Sequence, residues 1–259
     1  MSAALNSESR GQTLILTLSN PGMRNALGPE MYAAGVEALN AADSNPEIRS
    51  VVIVGEGSVF SAGGNLQRLL NNRQQAPEVQ ARSIDGLHAW IEAIHAFPKP
   101  VIAAVEGPAA GAGFSLALAC DFVIAARNAV FVMAYSGVGL SPDGGGSWSL
   151  GRALPRQLVN QLLMCGDKLP ATRLHELGVV NQLADEGQVL SMALALADQL
   201  NARAPNTLSS IKELVNAAPT ATLHQHLDAE RDHFVTNLHH PNGGIGIAAF
   251  LDKTKPIYR

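Results

Sequence analysis

Three places in this 259-residue chain combine residue types and spacing that can do chemistry. The first is Val101–Asp121, VIAAVEGPAAGAGFSLALACD. The apolar run Val101–Val105 fits a fully buried strand, Ala109–Gly113 is a turn of small residues, and Phe114–Cys120 reads as a buried helix that stops near Asp121. A helix that starts in such a turn offers backbone N–H groups with no intrahelical partner, at the positive end of its dipole. With so little side chain in the way, a ligand oxygen can come close, and the matching chemistry is stabilisation of developing negative charge. The same glycine-rich turn also serves plain tight packing. The second place is Phe60–Leu66, FSAGGNL, another small-residue turn, which follows the buried strand Val51–Val54. The third is Asp143 in the SPDGGG segment, where glycines allow the backbone to press against a ligand. Asp143 can act as an acid or base; it can equally cap the helix that begins near Ser147 or bond its own loop.

The elements that must position these residues alternate. Thr13–Leu18 is strand-like, Pro29–Ala42 has helical spacing with proline suited to the first turn, and Ile84–Phe97 is an amphipathic helix. Asn71–Arg82, polar, glutamine-rich and carrying Pro77, reads as a mobile loop or frayed helix. Phe122–Ala126 and Ala129–Met133 are buried strands, and Gly137–Gly146 is a long irregular loop. Helices follow at Ser147–Leu154, Arg156–Cys165, Ala171–Glu176 and Gly187–Ala204, with Val179-Val180 a short strand between the last two. Thr207–Asn216, Ala221–Leu238 and Ile245–Leu251 complete a helical last third. Strands alternating with helices, then helices alone, define an α/β chain with a helical C-terminal part.

Composition narrows the function. The length suits one large domain or a domain with an appendage. A formal charge of −4, with 15% charged residues, argues against a nucleic-acid or anionic-membrane surface. No apolar run is long enough to span a bilayer, and MSAALNSESRGQ lacks a hydrophobic signal core, which points to the cytoplasm. Cys120 and Cys165, both in apolar contexts, read as buried free thiols. His224, His226, His233, His239 and His240 show no ligand pattern and read as solvated.

FSAGGNL, EGPAAGAGFSLALACDFVIAA and GVGLSPDGGGSWSL, with NPGMRNAL upstream, closely resemble the enoyl-CoA hydratase/isomerase (crotonase) superfamily, from about Leu14 to the C-terminal tail. Within it the run from Ala110 to Trp148 looks most like the 1,2-epoxyphenylacetyl-CoA isomerase branch of phenylacetate catabolism. The resemblance implies a crotonase-like spiral of ββα turns with an acyl-CoA site over residues 1–205, and a C-terminal helical trimerisation region over 206–259. It implies a homotrimer or dimer of trimers and a coenzyme A thioester as substrate, with no resident cofactor or metal, since coenzyme A belongs to the substrate. Matched motif to motif, the two backbone donors of an oxyanion hole fall on Gly64 and Ala112, each in one of the small-residue turns. Loss of one such donor costs about 3–4 kcal/mol of barrier. The substrate is expected against Arg24, Ala26, Ala62, Asn65, Leu66, Arg68, Ser115 and Tyr135, with Arg24 and Arg68 near CoA phosphates and Lys253 or Lys255 reaching a neighbour's CoA. Asn65 stands where many members have aspartate.

The same matching bears on the reaction. The two glutamates of the family's hydratases fall on Ser115 and Tyr135, neither of which is a carboxylate. Asp143 matches the catalytic aspartate of dienoyl-CoA and epoxyphenylacetyl-CoA isomerases, and the nucleophilic aspartate of 4-chlorobenzoyl-CoA dehalogenase. Val138, Leu140 and Trp148 are expected to give it an apolar setting. His88 matches the dehalogenase base, although a lone histidine on an amphipathic helix is also an ordinary surface or core residue. An isomerase with one aspartate acid/base is therefore expected, with a hydratase, an aspartate-nucleophile dehalogenase or hydrolase, and a non-catalytic acyl-CoA binder as alternatives.

Overall fold

The structure is a computed structural model that describes residues 3–259. Strands β1 (Ala4–Arg10) and β2 (Thr13–Ser19) form an antiparallel hairpin, followed by α1 (Pro29–Ser44) and the wholly buried β3 (Ser50–Gly55). β1 has no counterpart in the sequence reading. Its residues are mostly exposed and polar, so it is held by backbone pairing rather than by an apolar pattern. Helices α2 (Leu66–Asn72) and α3 (Pro77–Ala96) come next, so of the two readings of Asn71–Arg82 the structure shows helix on either side of a short turn at 73–76, not a mobile loop. Pro77 opens α3 from its first turn, where a missing N–H costs nothing.

The chain continues through β4 (Val101–Val105), β5 (Ala109–Ala110), α4 (Ala112–Ala119), β6 (Phe122–Ala126) and β7 (Val130–Val132). After the irregular loop come α5 (Gly146–Ala153), α6 (Arg156–Asn160) with a π-helical turn over Gln161–Cys165, β8 (Lys168–Pro170), α7 (Ala171–Glu176), β9 (Gln182–Ala184) and α8 (Val189–Asn201). The strand expected at Val179-Val180 lies three residues later. Both valine N–H groups are spent on the Leu174 carbonyl at the end of α7, and it is Asn181 that exchanges hydrogen bonds with Val123 and leads into β9.

Six strands form one sheet in the order β1-β2-β3-β4-β6-β9, parallel from β2 onward, and β5-β7-β8 form a second, smaller sheet. From β4 the chain crosses to β5 and then α4; from β6 it crosses to β7 and then a helix. After β3, Ser61 makes a single bridge to Ala109 in the same second layer. This repeated strand, short return strand and helix is the expected ββα spiral. The core lies between the sheets and helices, with β3 and β4 buried along their whole length. Of the two cysteines Cys120 is buried but Cys165 is exposed, because the π-helical turn buries Leu162 and turns its other face outward.

The last helices are α9 (Pro205–Ala217), α10 (Leu223–His239) and α11 (Pro241–Leu251). Not every histidine there is solvated. His226 and His233 are partly buried, and the His240 side chain accepts the Asn242 N–H to cap α11. No helix among the described residues is long and apolar enough to cross a membrane.

One ion pair fastens α9 to the core. Lys212 Nζ lies 2.8 Å from the Asp121 carboxylate and 2.8 Å from the Ile94 carbonyl, while Asp121 also accepts the Val101 N–H. The side chains are only 11% and 21% exposed. Burial pushes the Asp121 carboxyl up, and the Lys212 charge is the main force pulling it back. Removing one partner of such a pair strands the other charge. Lys212→Ala is expected to cost about 3 kcal/mol, read as a lower midpoint of thermal unfolding and faster hydrogen exchange across α9; an unchanged midpoint would show that the pair does not hold the helix.

Candidate active site

Parallel neighbours β3 and β4 release the chain at the same edge of the sheet, so the two small-residue turns that follow them must meet. They are stitched together by backbone. The Pro108 carbonyl accepts the N–H groups of Phe60 and Ser61 at 3.0 and 3.3 Å, and Ala110 N–H donates to the Ser61 carbonyl at 2.9 Å. On the other side Ala62 N–H donates to the Arg24 carbonyl, and Leu27 N–H to the Gly63 carbonyl. The strip 60–64 is thus held between residues 24–27 and 108–110. Neither Gly64 N–H nor Ala112 N–H has a protein acceptor among the described residues; Ala112 is the first residue of α4, so the helix itself offers it none.

Two glycines permit this approach. Gly63 has φ +84°, and a Cβ there would sit 2.5 Å from the Ala110 carbonyl oxygen and 3.2 Å from the Ala112 nitrogen. A Cβ on Gly113 would sit 2.6 Å from Ser61 Cβ. Two buried polar residues brace the strip from behind. Ser61 Oγ donates to the Asn25 carbonyl and accepts the Gly63 N–H, and Asn25 Nδ2 donates to the carbonyls of Glu56 and Val59. Sequence reading missed Asn25 and Ser61 as site residues. The signal was a polar side chain inside each of two apolar or small-residue motifs, and burial is what gives that signal meaning.

Asp143 stands beside the first turn of α4. Ser115, fully buried, donates from Oγ to the Asp143 backbone carbonyl at 2.9 Å. Tyr135 donates its phenolic O–H to Asp143 Oδ1 at 2.6 Å. Burial, and then the charge of Asp143, raise the Tyr135 phenol well above its ordinary value, so it stays protonated. Oδ2 of Asp143 has no protein partner among the described residues, and no cation pairs with the carboxylate there. The Tyr135 ring also lies about 3.5 Å from where a Cβ on Gly111 would be, one residue before the free Ala112 N–H. The apolar setting expected from Val138, Leu140 and Trp148 is not what surrounds Asp143, since all three are half-exposed and Trp148 instead meets His95 and Arg152. The contacts on Asp143 come from Tyr135 and Ser115, and Leu87 lies beside the next residue, Gly144.

The remaining residues divide. Arg24, Ala62 and Leu66 are exposed around Gly64, with Ala26 buried just beneath. Asn65 caps α2, its side chain accepting the Arg68 N–H. Arg68 reaches back over Gly28 toward the buried Tyr32 phenol, and its Nε is buried without a partner. Ser115 is a strut for Asp143 and not an exposed contact. Lys253 is not brought to this cluster by its own chain: it follows α11, and the tail beyond it docks through Tyr258 on Arg49, before the opposite end of β3. His88 lines a cleft of about 960 Å³ between α3, α5 and α9 that opens beside Gly144 and Gly145.

Two unpaired N–H groups in turns at one edge of a buried parallel sheet, with an oriented carboxylate beside the helix that carries one of them, describe a site of the crotonase kind. Residues 8–259 match the family model described as Enoyl-CoA hydratase/isomerase, and the chain belongs to that family. It is 37% identical, over 95% of its length and 94% of the relative's, to the 1,2-epoxyphenylacetyl-CoA isomerase of Escherichia coli K12. It is 33% identical, over 100% of its length and 99% of the relative's, to the carnitinyl-CoA dehydratase of Salmonella enteritidis PT4. Among solved structures, an enoyl-CoA hydratase from Polaromonas sp. JS666 superposes with a TM-score of 0.98 at 72% identity, covering 98% of this chain and 99% of that one.

The glycine geometry separates two neighbouring substitutions. Gly63→Ala puts a methyl group against a backbone carbonyl at a positive φ and should cost on the order of 3 kcal/mol. Gly64→Ala meets only Leu69 Cδ1 at 3.8 Å, and its stability should stay within about 0.5 kcal/mol of wild type. Chemical denaturation of both variants checks this; equal midpoints would mean that the turns are not pressed together.

Proposed function

We propose that the chain is an acyl-CoA thioester isomerase that shifts a 3-enoyl double bond to the 2-position or rearranges an aryl-epoxide thioester. The thioester oxygen sits between the N–H groups of Gly64 and Ala112, which hold the negative charge of the enolate. Asp143 Oδ2 accepts a proton from C2; the electron pair moves into the thioester as the enolate; the protonated carboxyl then delivers that proton to C4 and the double bond settles at C2. Arg24 and Arg68 meet the CoA phosphates, and Lys253 acts on the CoA of a neighbouring subunit. The observation that carries this reading is Asp143 itself: one carboxylate with one free oxygen, where the two hydratase glutamate positions are filled by a buried serine and a protonated tyrosine. The 37% identity to an epoxyphenylacetyl-CoA isomerase supports it. The second reading, an enoyl-CoA hydratase, is favoured by the description of the 72%-identical Polaromonas protein; it requires water to be held without those two glutamates.

We also propose that the helices from residue 206 onward assemble the protein into a trimer or a dimer of trimers. Phe234, Phe250, Leu251 and Ile257 are each more than two-thirds exposed in the single chain, a far larger apolar display than an isolated molecule carries comfortably.

Asp143→Asn and Asp143→Ala should lower turnover of 3-enoyl-CoA by about 10²–10⁴-fold while acyl-CoA affinity persists through the backbone donors. Near wild-type turnover would make Asp143 structural, and hydration of 2-enoyl-CoA at an ordinary enzymatic rate by the wild type would favour the second reading. Light scattering at micromolar concentration should return three or six times the chain mass, and a monomer would refute the assembly.

A further inference from the structure

We infer that Tyr135 is a positioning residue for the proton transfer, its phenol holding Oδ1 of Asp143 so that Oδ2 alone takes up and returns the proton. This rests on the reading of Asp143 as the proton carrier. A carboxylate on a loop can rotate about its Cβ–Cγ bond and present either oxygen. Here one oxygen is occupied by a donor at 2.6 Å. The donor is well placed to keep that post. Tyr135 is only 9% exposed, and its ring packs beside Gly111. Its own carbonyl accepts the N–H groups of Val138 and Leu140, each at 3.0 Å, so the residue closes the loop from the main chain and ties its far end through the phenol. Burial and the neighbouring charge keep the hydroxyl protonated.

The bond suits both states of the carboxyl group. Anionic Asp143 accepts the phenolic proton at Oδ1 and is a base at Oδ2. Once Oδ2 carries the substrate proton, Oδ1 is a carbonyl oxygen and still accepts from the same phenol. The carboxyl therefore need not turn between the two halves of the reaction, and the C2 proton stays on the atom that faces the substrate. Tyr135 also stands between Asp143 and the start of α4, so the base and the Ala112 donor are registered to each other through one rigid ring. Its hydroxyl makes this contact at a position where the resemblance to hydratases had called for a carboxylate.

Tyr135→Phe keeps the ring and removes only the hydroxyl. Three measurements on wild type and variant decide the matter: the thermal midpoint, kcat and KM for 3-enoyl-CoA in D₂O with the deuterium content of the product, and exchange of the α-protons of butanoyl-CoA followed by NMR. The expected result is a kcat lower by about 10- to 100-fold, with KM within about threefold and little change in the midpoint. The share of the product's new hydrogen drawn from solvent should rise, and α-proton exchange should slow in step with kcat. A variant with wild-type kcat and wild-type solvent incorporation overturns the inference and leaves the isomerase reading standing. A fall in kcat that comes with an equal rise in KM and a collapsed midpoint overturns it too, since Tyr135 would then only be holding the loop. If the wild type exchanges α-protons but does not isomerise, the isomerase reading fails. The inference is then judged on exchange alone: slower exchange in the variant supports it and equal exchange overturns it. A wild type that does neither overturns both.

Discussion

The contact between the Ser61–Gly64 strip and the Ala110–Gly113 turn is the constraint on which the site depends. It exists because β3 and β4 are adjacent and parallel, paired from Val51–Val101 to Val54–Ala104, so that both chains leave the sheet at one edge. Side-chain bulk would keep the two turns apart, and the glycines at 63 and 113 remove it. Pro108 then offers one carbonyl to two N–H groups of the other turn. The Gly64 and Ala112 N–H groups are left over once all this pairing is complete. Their lack of partners is a result of sheet geometry, and it makes polar donors available without the cost of breaking an existing bond when a ligand oxygen arrives.

Much of this was legible in the sequence. Val101–Val105, Phe122–Ala126 and Ala171–Glu176 lie where apolar runs and periodicity put them. So do both small-residue turns, because a buried strand followed by glycine and alanine is a strong local pattern. What was missed was non-local. β1 has no apolar code, since its partner strand and not its side chains holds it in place. Val179-Val180 had the β-branched composition of a strand, but the Leu174 carbonyl had already claimed both N–H groups. Pro77 suits a helix start, but the polar, glutamine-rich residues around it fit a mobile loop or a frayed helix equally well, and their composition does not separate the two. At the site, the position of Asp143 was readable, but its bonds to Tyr135 and Ser115 join residues 8 and 28 apart in sequence through side chains, and no spacing rule contains them.

The C-terminal helices combine two kinds of surface. α9 is bound to the core by a nearly buried charge pair and by Asn216 on the His95 carbonyl, polar contacts of fixed geometry. α10 and α11 instead present apolar side chains outward. The polar contacts fix the direction in which the helices leave the core, while the apolar faces are free to be covered. The cleft lined by His88, His95 and Trp148 lies at this junction, so its shape depends on how firmly α9 is held.

The order of strands in the large sheet is the order of strands in the chain. No strand has to be inserted between two that are already paired, and each can be added to an open edge as it emerges. A chain made from its N-terminus on the ribosome can therefore grow this sheet in step with synthesis, which limits the time that β3 and β4, both buried along their whole length, spend unpaired. The two turns meet as soon as β4 docks on β3, long before α9 to α11 have been made. Asp143 and its tyrosine arrive later and settle onto donors that are already in place.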